Sequence, residues 1–214
     1  MAEWKIEDEA GSGPASGVRP AMQARSRATR ARILKILEKS VQDNSIDALT
    51  VADIARKAKS SVGAFYGRFA DKAAALDALY ADRLDVLTNR LMAGNQEARR
   101  HRDVHRWIGQ LAEDCVAHGL ENRALLSRLA GRPVDLAQPP KTLAEDLSKT
   151  LTVLKIKPPH FAPPAARFLL TLVIGLSRDA ALFQADLQDN EAARRAFTSD
   201  IQKAALWYLT APSA

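Results

Sequence analysis

Cysteine is almost missing from this 214-residue chain, where Cys115 stands alone. An internal disulfide is therefore excluded, as is any CxxC metal or redox motif, and a reducing cytoplasm is the expected compartment. Long apolar runs are also lacking. No early stretch of 18 or more apolar residues occurs, and the N-terminus mixes acidic residues with glycine and proline, so neither a membrane anchor nor a signal peptide is expected. Strand-like alternation and internal repeats are absent, and glycine and proline gather in a few clusters. Alanine, leucine and arginine dominate instead, which points to an all-α chain. At 47% hydrophobic and 26% charged residues, it has the composition of an ordinary globular protein long enough to bury a proper core.

Catalytic and metal-binding constellations are equally scarce. His101 and His105 have the i, i+4 spacing of a helical metal pair, but Arg99, Arg100, Arg102 and Arg106 flank them and no third ligand is evident. Cys115 and His118 fall on one helix face as a nucleophile and base would. No oxyanion glycine loop or orienting acid accompanies them, although Asp114 is adjacent, so a buried cysteine beside a partly buried histidine is the expected state. The segment GSGPASG near the N-terminus lacks a preceding strand and contains a proline, which makes it a linker rather than a dinucleotide loop. No catalytic residue, metal or cofactor is expected.

The basic excess is unevenly distributed. Residues 1–20 carry two basic and four acidic groups, residues 21–72 eleven and five, and the remaining 142 residues eighteen and sixteen. The middle segment thus holds +6, with Arg25, Arg27, Arg30 and Arg32 clustered at the start of a first helix that the pattern places over about Arg25–Gln42. Such a concentration suits phosphate neutralisation, the main source of non-specific affinity for DNA.

Within that segment, Thr50 to Lys72 read TVADIARKAKSSVGAFYGRFADK. Thr50 and Asp53 form a T-x-x-D capping box, and Val51, Ile54, Ala55 and Ala58 follow at helical spacing. Lys59-Ser60-Ser61 interrupts the helix and supplies a serine cap for the next one, VGAFYGRF, with Val62, Phe65 and Phe69 on one side. Two short helices about a tight turn make a helix-turn-helix, whose second helix enters the major groove. Phe65 and Phe69 are expected in its core.

This arrangement resembles the TetR/AcrR family of bacterial transcriptional regulators. The matching residues are TVADIA at 50–55, SVGAFYGRF at 61–69 and Asp71-Lys72-Ala73-Ala74-Ala75-Leu76, within a match of roughly residues 25–90. The turn departs from the family pattern, because Ala58-Lys59-Ser60-Ser61 stands where Ala-Gly-Val-Ser is usual, putting lysine where a left-handed backbone is often wanted. The resemblance implies that Val62, Gly63 and Tyr66 meet base edges or sugar-phosphate, that Tyr66 and Lys72 contact phosphates, and that Thr50 is a further backbone contact. Ser61 sits where its hydroxyl and free amides can hold a phosphate. Arg68 is expected on a phosphate too. Small residues at Gly63 and Ala64 leave little for direct readout, so thymine-methyl contacts and DNA shape carry more of the specificity.

Beyond the head, the pattern predicts a fourth helix from about Asp71 to Met92, ended by Gly94-Asn95, then helices over 103–122, 123–131, 139–156, 163–186 and 190–211. Breaks are expected at Gly131-Arg132-Pro133, Pro139-Pro140 and Pro158-Pro159. The resulting organisation is a flexible tail (1–22), a helix-turn-helix DNA-binding domain (23–70) and an effector-binding and dimerisation domain (71–214), about nine helices in all. FLLTLVIGL is apolar on nearly every face, more than one amphipathic neighbour can cover. In the family this helix and the last one pair with the same two of a second subunit, implying a homodimer through 163–186 and 190–211. The family also holds a small-molecule effector among the body helices. Candidate lining residues are Trp107, Leu111, Cys115, His118, Leu125, Phe161, Phe168 and Leu172.

The expected function is a ligand-responsive regulator that binds a palindromic double-stranded DNA operator, most simply as a repressor released by its effector. The alternatives are a small helical enzyme or carrier using the C-terminal cavity, and a DNA-binding protein without an effector.

Overall fold

The computed structural model describes residues 18–130, 140–158 and 162–211. Residues 1–17 of the expected tail, the breaks at Gly131-Arg132-Pro133, Pro139 and Pro159, and the candidate Phe161 lie outside them. The chain is all-α. Its helices are α1 (Val18–Gln42), α2 (Val51–Lys57), α3 (Val62–Tyr66), α4 (Lys72–His101), α5 (Val104–Glu121), α6 (Arg123–Leu129), α7 (Lys141–Val153), α8 (Ala162–Phe183), α9 (Asp186–Asp189) and α10 (Glu191–Thr210), with a 3-10 turn at Ile46–Ala48.

Side-chain caps set several of these starts. Asp71 Oδ1 accepts from the Ala74 amide at 2.6 Å to begin α4, and Asp103 Oδ1 from the Arg106 amide at 2.9 Å to begin α5. Asn190 Oδ1 accepts from the Ala193 amide at 3.1 Å to begin α10. Each satisfies a donor that the first helical turn leaves open.

Two boundaries differ from the sequence reading. Helix α1 begins at Val18, not near Arg25, so residues 18–22 are helical instead of tail. Pro20 is accommodated because it lies in the first turn, where no intrahelical donor is needed. Helix α4 runs on to His101, passing through Gly94-Asn95 without a break. Tertiary bonds override the local signal there. Asn95 is fully buried, donates to Asp146 Oδ2 of α7 at 2.9 Å and accepts from Trp107 Nε1 of α5 at 2.9 Å. Arg99, one turn on, binds Asp146 Oδ1 at 3.1 Å and Thr150 Oγ1 at 2.6 Å.

The core has two parts, strung along α4. The first gathers Ile33, Leu34 and Leu37 of α1, Ile46 of the 3-10 turn, Ile54, Phe65 and Phe69 of the helix-turn-helix, and Leu76, Leu79 and Tyr80 of α4. Leu125, Leu126 and Leu129 of α6 join this cluster, so a helix expected wholly within the body forms part of the seat of the head. The second cluster joins Leu87 and Leu91 of α4 to Trp107, Ile108 and Leu111 of α5, Leu143 and Leu147 of α7, Leu169 and Leu170 of α8, and Ile201 and Leu209 of α10. Bonds between α1 and α4 reinforce the first part. Arg30 grips Asp82 with two bonds of 2.7 and 2.8 Å, and Arg83 pairs with Glu38.

Candidate nucleic-acid interface

The helix-turn-helix begins with a complete capping box. Thr50 Oγ1 accepts from the Asp53 amide at 3.1 Å, while Asp53 Oδ2 accepts from the Thr50 amide at 3.2 Å and its hydroxyl at 2.7 Å. These bonds to Thr50, with a further one from Arg56, hold the Asp53 carboxyl down at about 2. After α2 the chain turns through Lys59 at φ 49°, a left-handed residue without glycine's freedom. Arg32 of α1 donates from Nε to the Ala58 carbonyl at 2.9 Å and so satisfies an acceptor at the end of α2. Sequence reading had no signal for that bond beyond the arginine cluster itself.

Ser61 then caps α3, its Oγ accepting from the Ala64 amide at 3.0 Å. Phe65 turns inward and is fully buried, with its ring 5.4 Å from that of Phe69. The opposite side of α3 is open. Val62 and Tyr66 are 42% and 54% exposed, and Ser61 and Gly63 are exposed beside them. A Cβ at Gly63 would meet nothing nearer than Ser61 Oγ at 4.0 Å. The fold therefore does not require glycine there, and the bare backbone at Gly63 leaves space for something outside the chain.

Two of the seven predicted contacts are held differently. Arg68 donates from Nη1 to the Ala64 carbonyl at 2.5 Å, from Nε to the Ser26 carbonyl at 3.3 Å and from Nη2 to the Ser26 hydroxyl at 3.0 Å. Its guanidinium fastens α3 to α1. Lys72 Nζ donates to the Ile46 and Leu49 carbonyls at 3.0 and 3.1 Å, tying the start of α4 to the loop before α2. Thr50, Ser61, Val62, Gly63 and Tyr66 remain on the solvent side.

The family model "Bacterial regulatory proteins, tetR family" matches residues 33–79, the span from the middle of α1 into α4 that holds this whole motif. Over these residues the chain is similar to the TetR family. Solved structures agree on the fold. A TetR-family regulator from Mesorhizobium loti superposes with a TM-score of 0.63 at 16% identity, covering 85% of this chain and 96% of that one. A minocycline complex of a TetR variant from Acinetobacter baumannii gives 0.58 at 23% identity, covering 83% and 92%. A TetR-family regulator from Streptomyces coelicolor gives 0.55 at 18% identity, covering 85% and 99%. No curated protein matches the sequence. The molecule thus has a TetR-like fold with an N-terminal helix-turn-helix.

In the body of the chain, the candidate effector residues are not brought to one cavity. Trp107, Leu111 and Cys115 are buried in the second core cluster, and Leu125 is in the first. His118 is buried beside Tyr80, with ring centroids 6.1 Å apart. Phe168 lies on the outer side of α8, 50% exposed and 4.5 Å from the Tyr208 ring, while Leu172 is half-buried. A pocket of about 170 Å³ does open elsewhere, between the last turns of α4 and the first of α5, lined by Gly94, Glu97, His101, Arg106, Trp107 and Gln110 among others. Among the described residues of the expected set, only Trp107 reaches it. The unanticipated extension of α4 beyond Met92 is what creates its wall.

His101 and His105, whose spacing alone suited a metal pair, are separated by the fold. His101 ends α4 and His105 belongs to α5, with Arg102 at φ 55° turning the chain between them. His101 Nε2 instead approaches Glu97 Oε2 at 3.2 Å. Cys115 and His118 do share α5. Burial, with a smaller effect of Asp114, pushes the thiol far up, and burial, with Arg90 and Arg83, holds His118 down at about 4. Both shifts oppose the thiolate–imidazolium pair that nucleophilic catalysis uses. Among the described residues no helix is long and apolar enough to cross a membrane.

Proposed function

We propose that this chain is a dimeric, cytoplasmic, ligand-responsive repressor that binds a palindromic operator through α3. One observation carries the reading: the exposed row Ser61, Val62, Gly63 and Tyr66 on a helix fixed by caps and a buried Phe65, within the segment that holds the basic excess. Residues 23–70 form the DNA-binding domain in this proposal and residues 71–214 the effector and dimerisation domain. Thr50 adds a phosphate contact at the edge of the motif. Lys72 adds one through the third donor that its bonds to the Ile46 and Leu49 carbonyls leave over, and Arg68 joins them only by leaving Ser26.

The dimer rests on the outer faces of the last long helices. Phe168, Leu176 and Phe183 of α8 and Trp207 of α10 are 50%, 41%, 75% and 74% exposed. Large apolar side chains left open on two neighbouring helices mark a surface that association covers. A second copy supplies the symmetry needed to place two recognition helices about 34–36 Å apart on successive turns of DNA. Recovering genomic fragments on the purified protein tests the proposal. A shared inverted repeat, bound by a species of twice the chain mass, is the expected result. Binding without sequence preference, or by a monomer, contradicts it.

Close packing around Trp107, Leu111 and Cys115 favours a second reading, a TetR-family regulator without an effector. The two separate on whether any small molecule changes operator affinity while leaving the dimer intact.

A further inference from the structure

Three helices meet at one level of the molecule, and two of them each carry a buried polar atom without a partner there. Tyr80 of α4 lies beside His118 of α5. One residue further, Gly119 presses so closely on α8 that a Cβ there would stand 2.8 Å from the Ser177 carbonyl oxygen. His118 and Ser177 are 7% and 3% exposed, yet neither His118 Nε2 nor Ser177 Oγ has a hydrogen-bond partner. Buried polar atoms in native proteins are nearly always paired, and leaving two unpaired on facing helices destabilises the fold.

The tautomer of His118 follows from its neighbour. Asn122 Nδ2 donates to the His118 carbonyl at 2.8 Å and lies 3.4 Å from its Nδ1. An amide nitrogen only donates, so Nδ1 is the acceptor and the neutral ring carries its hydrogen on Nε2. The unsatisfied groups are thus one N–H donor and one hydroxyl. Their surroundings are positive, since Arg83 and Arg90 act on His118 and Arg178 acts on Tyr80. A small cavity of about 30 Å³, room for a water molecule, opens from outside onto Leu79, Arg83, Asn122 and Leu125, one helical turn from His118.

Resting on the ligand-responsive reading above, we propose that the Tyr80–His118–Ser177 layer is the polar end of the effector site, closed in this structure and entered over Asn122. It takes a compact, largely apolar molecule bearing an acceptor oxygen, as a carbonyl or a carboxylate. The acceptor pairs with Nε2–H and the Ser177 hydroxyl, and the apolar remainder lies against Tyr80. Displacing Tyr80 moves α4 about two turns from Lys72, whose ammonium holds the loop in front of the helix-turn-helix. Binding at this layer is thereby linked to the head.

Acetophenone, benzoate and ethylbenzene test the assignment on the full chain, being similar in size but carrying a neutral acceptor, an anionic acceptor and none. One oxygen-bearing probe is expected to raise the thermal midpoint by about 3 °C at ten times its Kd, and ethylbenzene by clearly less. Which of the two acts separates a carbonyl ligand from a carboxylate. Ser177→Ala and His118→Phe should erase the difference among probes, and Ser177→Ala alone should melt no lower than the parent. An equal response to all three, no response to any, a difference that survives in both variants, or a lower midpoint for Ser177→Ala overturns the site. If another compound releases operator equally well from both variants, ligand response stands and this site falls. If the oxygen-bearing probe binds as expected without changing operator affinity, the ligand-responsive reading falls and the effector assignment with it.

Discussion

Arg68, just beyond α3, donates from Nη2 to the hydroxyl of Ser26 on α1 at 3.0 Å, across 42 residues of sequence. Together with its bonds to the Ser26 and Ala64 carbonyls, this uses the guanidinium as a strut between two helices of the head. Arg68→Ala should therefore destabilise the head by about 0.5–1.5 kcal/mol, the usual net worth of such bonds. The slope of log affinity against log salt should stay unchanged for operator DNA. A slope shallower by about 0.9, the signature of one lost phosphate contact, would return Arg68 to the DNA surface.

Two glycines should respond in opposite ways to the same methyl group. At Gly63 a Cβ finds open space, with Ser61 Oγ at 4.0 Å, so Gly63→Ala should leave the thermal midpoint unchanged or slightly raised. Operator affinity should nevertheless drop by about tenfold or more, equivalent to about 1.4 kcal/mol, if the groove backs onto that bare backbone. At Gly119 the Cβ would stand 2.8 Å from backbone oxygen of Ser177, which cannot swing aside like a side chain. Gly119→Ala should cost about 1–3 kcal/mol of stability through overpacking. Paired melting and gel-shift measurements on the two variants separate contact with DNA from packing.

Lys59 occupies the left-handed region at φ 49° in the turn between α2 and α3. Lys59→Gly should relieve about 1 kcal/mol of backbone strain, in line with the usual cost of that conformation for a side chain with Cβ. Lys59→Ala should give no such gain, since alanine meets the same clash. Urea unfolding of both variants checks this, and an equal stability for the two would mean that the φ angle is not what limits the turn.

Much of the head was legible because its signals are local. A capping box, a serine cap and two phenylalanines at i, i+4 need no distant partner, and Thr50, Ser61, Phe65 and Phe69 stand where their spacing placed them. Lys59 is left-handed, as the missing glycine suggested. The body was less legible because its deciding bonds span long stretches of sequence. Asn95 looked like a helix stop, yet Asp146 and Trp107 engage both ends of its amide and keep α4 helical. Leu125 had the periodicity of a body residue and packs with the head, because α6 turns three leucines that way. Ser177 carried no sequence signal at all, since its hydroxyl is enclosed only by the packing of helices distant in sequence.

His118 makes stability depend on pH in a defined window. Burial first, then Arg90 and Arg83, lower its folded pKa to about 4 from an ordinary 6.5. The unfolded chain therefore binds the extra proton more readily between those limits. Stability is fully present above pH 6.5 and falls as pH drops towards 4, below which this loss is complete. Over the whole window the change amounts to roughly 3 kcal/mol, with a slope of at most about 1.4 kcal/mol per pH unit. Asp53 acts lower down. Its carboxyl is held at about 2 against 3.8, so the stability from its bonds to Thr50 and Arg56 is lost only as pH falls from 3.8 towards 2. Measurements between pH 7 and 4.5 isolate the histidine, and His118→Phe should flatten the curve there. A parent protein equally stable at pH 7 and 4.5 would require that the imidazole gains a proton in place, against Arg83 and Arg90, which only a partner for Nε2 could make possible.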